Sequence, residues 1–201
     1  MTKTDYTYHI DNDDVQLWDS FRNGDDQALS CIYNTHIQAL FRYGSKLSPD
    51  ESFVMDCIHD LFADMIQHRT TVGCADNIRY YLIRSLRNKI LRNLKQQKYE
   101  LSIDYPFLLE AAFDEQFHEH EADRHQRRRL REAINHLPER QKEAIYLRYI
   151  MDFKNEEIAQ IMDINYQAVR NTLYKAIGFL RKNITKQDLI LFVAIIKKLY
   201  N

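Results

Sequence analysis

The chain has 201 residues, 45% of them hydrophobic, and a formal net charge of −1, enough apolar material for one ordinary core or two small ones. Cys31, Cys57 and Cys74 are too few and too widely spaced for a disulfide framework or a CxxC metal site. The longest apolar run, Leu189 to Ile196, falls far short of the ~20 residues that cross a bilayer. The polar, acidic start lacks the apolar stretch of a secretion signal, so a reducing cytoplasm is expected. With 4 Gly and 3 Pro, and apolar residues recurring every three or four positions, an all-α protein is expected.

The first helical region spans about Asp13 to Gln97, with interruptions expected near Gly44 to Ser52 and Thr70 to Asp76. Its opening stretch is apolar on one side through Val15, Leu17, Trp18 and Phe21. Gly24-Asp25-Asp26 reads as a turn with a carboxylate cap. The next helix should point Leu29, Ile32, Tyr33, Ile37, Leu40 and Phe41 inward. Ser52 to Gln67 repeats Phe53, Val54, Cys57, Ile58, Leu61, Phe62, Met65 and Ile66 on one stripe. Asp56, Asp60 and Asp64 run beside that stripe at four-residue spacing, an arrangement expected of a solvated face.

The small net charge hides blocks. Residues 1–60 carry −7, residues 79–98 carry +7 with no acid, residues 99–125 carry −7, and residues 126–201 carry +7. Such blocks point to polyanionic partners. In the first basic block, Ile78, Tyr81 or Leu82, Leu86, Ile90 and Leu94 form a core stripe. Arg79, Arg84, Arg87, Lys89, Arg92, Lys95 and Lys98 occupy the remaining faces, and Tyr80 and Tyr81 offer platforms for unpaired bases. By itself this helix fits a nucleic acid no better than the alternatives together, which are a solvated face, a membrane-surface helix and a partner site.

Residues 99–125 are acidic, contain Pro106 and show no sustained period before Phe117; they read as a solvated tether, although Tyr105 to Leu109 could dock. A second helical domain begins near Arg127, with Leu137-Pro138-Glu139 at a helix boundary. The helix after Pro138 breaks at Met151-Asp152-Phe153. A short helix then buries Ile158, Ala159 and Met162, and Asp163-Ile164-Asn165 turns the chain. Asp and Asn tolerate the left-handed backbone that glycine often supplies in such turns, and Asn165 can cap the next helix. That helix buries Val169, Leu173, Ala176, Ile177 and Leu180. Its opposite face, Gln167, Arg170, Asn171, Tyr174, Lys175 and Arg181, contains no acid. An α-helix fits the major groove, where Gln and Asn pair with adenine and Arg with guanine. This joint pattern is that of a helix-turn-helix on duplex DNA.

Together these segments resemble an RNA polymerase sigma factor of the extracytoplasmic-function (ECF) class, a two-domain branch of the sigma-70 family. MDCIHDLFADMI is similar to the region-two segment that grips the polymerase clamp, and NIRYYLIRSLRNKILRNLKQQK to the segment that meets the melted minus-ten element. LREAINHLPERQKEAIYLRYIMDFKNEEIAQIMDINYQAVRNTLYKAIGFLRK resembles region four, which reads the minus-thirty-five element. The resemblance implies region two over residues 1–98, an acidic linker over 99–125, region four over 126–184 and a hydrophobic extension over 185–201.

By the same resemblance, Asp56, His59, Asp60 and Phe62 meet the polymerase. Tyr80, Tyr81 and Asn88 neighbour minus-ten bases, with Arg84, Arg87 and Arg92 on phosphates. Gln167, Arg170, Asn171 and Lys175 specify the minus-thirty-five sequence beside Tyr174, while Arg148, Lys154, Arg181 and Lys182 hold the backbone. The implied partners are core RNA polymerase, promoter DNA and an anti-sigma factor, with no cofactor, metal or small-molecule substrate and no catalysis by the chain itself. The acidic linker would follow the polymerase's RNA exit path. A ligand-sensing helix-turn-helix regulator is the alternative reading. A metal enzyme built on His118, His120 and His125 lacks fixed ligand spacing.

Overall fold

A computed structural model describes residues 10–97, 106–109 and 132–185; the expectations for His118, His120, His125 and the apolar tail from Leu189 lie outside these. The described residues are helical, with no strand among them. They divide into two compact units, the first comprising residues up to 45 and 50–93, the second residues 46–49 and those from 94 onward.

The first unit holds α1 (Ile10–Arg22), α2 (Asp26–Leu47) up to residue 45, α3 (Glu51–Gln67) and α4 (Ile78–Gln97) up to residue 93, and α2, α3 and α4 begin where their capping residues stand. Asp25 accepts from the Gln27 and Ala28 amides, Asp50 from Phe53 and Asn77 from Tyr80, each satisfying amides that a helix start leaves without partners. Gly24 takes φ +96°, the left-handed backbone of the α1–α2 turn. Gly44, in contrast, interrupts nothing. The helix runs through it, and a Cβ there would meet Val54 Cγ1 at 2.6 Å and Ile90 Cδ1 at 3.3 Å. Glycine is present so that α3 and α4 can approach the α2 backbone.

The core gathers Trp18 and Phe21, Ile32, Leu40 and Tyr43, Val54, Ile58 and Leu61, and Ile78, Leu82, Leu86 and Ile90. Trp18 packs against Phe21 and Tyr81 at centroid distances of 5.3 and 4.8 Å, and its indole N–H donates to the Gly73 carbonyl at 2.8 Å. That bond ties α1 to the α3–α4 loop. The Asp14 carboxylate, also on α1, accepts from the Ile78 amide at 3.0 Å and so holds the start of α4.

Burial lowers the pKa of His36 on α2; Asp14 opposes this, and Arg79 reinforces it. The unfolded chain therefore binds more protons than the folded one as pH falls below the ordinary value of 6.5. Stability should drop between that value and the lower folded one, then level off. Urea titrations at about pH 7.5 and about pH 5.5 should show the loss, and His36→Gln should flatten it. Burial likewise raises the pKa of the Cys57 thiol, keeping it protonated and unreactive.

In the second unit, residues 132–135 are helical, and α5 (Glu139–Ile145) follows Pro138. It continues as one π-helical turn, Tyr146–Ile150, before α6 (Asn155–Ile161) and α7 (Tyr166–Asn183). Ile145, Leu147, Phe153, Ile158, Ile161, Val169, Ala176 and Leu180 form its core, and Ala159 is buried where α6 and α7 are neighbours.

The tether expectation fails at one point. Phe107 and Leu109 are fully buried. The Phe107 amide donates to Glu139 Oε2 at 2.6 Å, and its ring meets Tyr146 edge-on at 5.5 Å. Glu139 Oε1 in turn pairs with Lys142 Nζ at 3.0 Å. Residues 106–109 are thus packed as part of the second unit, because two large apolar side chains outweigh the acidic character of their surroundings.

Candidate nucleic-acid interface

In the second unit the turn between α6 and α7 is built without glycine. Asp163 adopts φ 53°, the left-handed conformation, and the Ile164 amide donates to the Ala159 carbonyl. The Asn165 side chain accepts from the Ala168 amide at 2.8 Å and starts α7. With Val169, Leu173, Ala176 and Leu180 buried, helical geometry leaves Gln167, Arg170, Asn171, Tyr174, Lys175, Arg181 and Lys182 exposed together. Tyr174 is 82% exposed, although it is aromatic. Lys154, before α6, is exposed as well. Arg148 is placed differently. It is half-buried, and its guanidinium donates to the Phe153 carbonyl at 3.0 Å, closing the turn after the π-helical segment where Asp152 takes φ 56°. Its first role is therefore structural.

In the first unit, α3, α4 and the loop between them enclose a cavity of about 420 Å³. Tyr81, Asn88 and Arg92, all singled out from the sequence, line it. So do Asp64, His68, Ser85 and Lys89, which sequence reasoning assigned no site role. Lys89 Nζ, almost buried, contacts Asp64 Oδ2 at 2.7 Å. That bond is the main cause of the lowered Asp64 pKa, so the acidic stripe is partly committed to an ion pair. Arg84 is exposed and Tyr80 half-buried on the same helix. Arg87 is 4% exposed, buried with the packing of the helix.

The seam between α2 and α3 is a third feature. Leu29, Tyr33, Ile37 and Phe41, expected as core, are only half-buried. They line two grooves, of about 550 and 250 Å³, with Met55 and Asp56 beside the first and Phe62 and Ile66 beside the second. Asp56, His59 and Asp60 are exposed on α3. Phe62 is 6% exposed and edge-on to Tyr33 at 4.9 Å, so its ring belongs mostly to the packing.

Residues 127–180 match the model of sigma-70 region 4. Over 161 residues the chain is 27% identical to the RNA polymerase sigma factor SigV of Bacillus subtilis (strain 168), covering 80% of this chain and 93% of that protein. Residues 127–180 thus carry a sigma-70 region 4, and the chain as a whole is similar to a sigma factor. Its fold is similar to that of CnrH, solved in complex with the cytosolic domain of CnrY. The TM-score is 0.57 at 20% identity, over 84% of this chain and 95% of that one. The region 4 match spans α5, α6 and the greater part of α7. Among the described residues no helix is long and apolar enough to cross a membrane, and no group of three or more His, Cys, Asp or Glu could hold a metal ion.

Proposed function

We propose that this alternative sigma factor directs core RNA polymerase to promoters through three separate surfaces. The α7 face of region 4 reads the minus-thirty-five element in the major groove. The cavity between α3 and α4 receives melted minus-ten DNA, with Tyr81 and Asn88 toward bases and Arg84 and Arg92 toward phosphates. The α2–α3 seam, with Asp56, His59 and Asp60 on its rim, grips the polymerase clamp. Catalysis stays with the polymerase. The observation that carries the reading is the acid-free, exposed face of α7, mounted on a turn shaped by its cap and its left-handed residue. Cations on such a face release counterions from DNA, while amides and guanidinium groups discriminate base edges.

The proposed setting is the cytoplasm, with an anti-sigma factor as the restraining partner; the pairing of CnrH with the cytosolic domain of CnrY supports this. Transcription reconstituted from the purified chain and core polymerase tests the function. Promoter-specific initiation with no other factor is expected, whereas an operator-binding regulator would give none. Asp60 is exposed on α3, so Asp60→Arg should leave helix content unchanged and weaken capture of core polymerase. Normal capture would move the clamp contact off this face.

A further inference from the structure

We propose that Gln167 and Asn171 read promoter DNA as one coupled unit, in which Asn171 is a positioning residue that fixes how the Gln167 amide faces a base edge. This rests on α7 lying in the major groove. The two residues are four apart on the exposed face, and Gln167 Nε2 donates to Asn171 Oδ1 at 3.3 Å.

The consequence follows from donor and acceptor counting. Adenine presents N7, an acceptor, and its N6 amino group, a donor, in the major groove. An amide matches both only with its oxygen toward N6 and its nitrogen toward N7. A lone glutamine turns freely about its last torsion, and each half-turn exchanges oxygen for nitrogen and spoils the match. The bond to Asn171 uses one Nε2 hydrogen and turns that nitrogen toward the later part of the helix. It leaves Oε1 and the second Nε2 hydrogen for the base: one acceptor and one donor, the complement of adenine. Asn171, with Oδ1 engaged, offers chiefly its Nδ2 donors, which suit guanine O6 and N7 or thymine O4. Arg170 and Lys175 flank the pair, and no carboxylate on the α7 face competes for these donors.

The test is transcription by core polymerase with the whole chain on a promoter library randomised across the minus-thirty-five element, read as the preference at each position rather than total yield. For the parent chain, an adenine preference of about tenfold is expected at the Gln167 position, within what one bidentate contact supplies. Gln167→Ala should erase that preference and, by freeing Asn171 Oδ1, broaden the choice at the Asn171 position. Asn171→Ala should relax two positions, its own and the Gln167 position, reducing the latter to about twofold. Asn171→Asp retains the acceptor oxygen, so it should retain the adenine preference at the Gln167 position even though its charge lowers total output. Both side chains are exposed, and helix content should be unchanged throughout. The coupling is overturned if Asn171→Ala alters only one position, or if Asn171→Asp loses the Gln167 preference as Asn171→Ala does. A library profile unchanged by Gln167→Ala and Arg170→Ala alike would instead overturn the placement of α7 in the groove, and the pair with it.

Discussion

Trp18→Ala should cost the first unit about 3–5 kcal/mol, the range for truncating a buried aromatic side chain, and should impair opening of the minus-ten element. Trp18 is 1% exposed, and its ring supports both Phe21 and Tyr81. Its removal leaves a cavity among helices already pulled close at Gly44, so little collapse is available to offset the loss. The hydrogen bond to the Gly73 carbonyl matters less for stability. Gly73 is exposed, so its carbonyl can turn to water, and a bond exchanged for water contributes about 1 kcal/mol. Trp18→Phe should therefore recover most of the stability, as read from urea transitions followed by circular dichroism. The functional loss should separate from the stability loss. Tyr81 lines the cavity between α3 and α4, and the indole bond fixes the loop that borders it. Trp18→Phe should thus initiate less well on duplex promoters than on templates with a pre-opened minus-ten element.

What the sequence disclosed and what it withheld divide along a physical line. Local devices were legible, because the residues that act are neighbours in the chain. Asp25 caps α2, Asn165 caps α7, and Asp163 takes the left-handed turn conformation, each because of its own side chain or backbone. The division of α7 into a buried and an exposed face follows from period alone. Distant partners were not legible. The expected interruption falls at residues 48–50, within Gly44 to Ser52, but that Gly44 itself admits Val54 and Ile90 leaves no local signal. Phe62 and Ile66 share one stripe, yet Phe62 is buried against Tyr33 and Ile66 is 41% exposed. On α4, Arg87 and Lys89 flank a broad apolar surface and bury along it, which a charge count cannot reveal. The bond from Arg148 to the Phe153 carbonyl is not legible either, because the π-helical turn that aims it there leaves no periodic signal.

Phe107→Ala should destabilise the second unit by about 3–5 kcal/mol while leaving the first unit untouched, an outcome impossible for a residue in a solvated tether. The Phe107 side chain is fully buried, and its backbone amide is anchored to Glu139, whose second oxygen is engaged by Lys142. Truncation removes the contact with Tyr146, empties the site and exposes the anchoring bond to water. The chain holds a single tryptophan, Trp18, and it lies in the first unit. Its emission therefore reports one unit, while far-ultraviolet circular dichroism reports both. In the variant, a fraction of the helical signal should melt early while the midpoint of Trp18 emission stays where it is in the parent. A two-unit chain need not unfold in one step, so the two probes should disagree. Leu108, 39% exposed between two buried neighbours, supplies the control, and Leu108→Ala should change stability by less than about 0.5 kcal/mol. Coincident, unshifted transitions in Phe107→Ala would return the segment to the status of a tether. The expected split would instead make residues 106–109 part of the folded second unit.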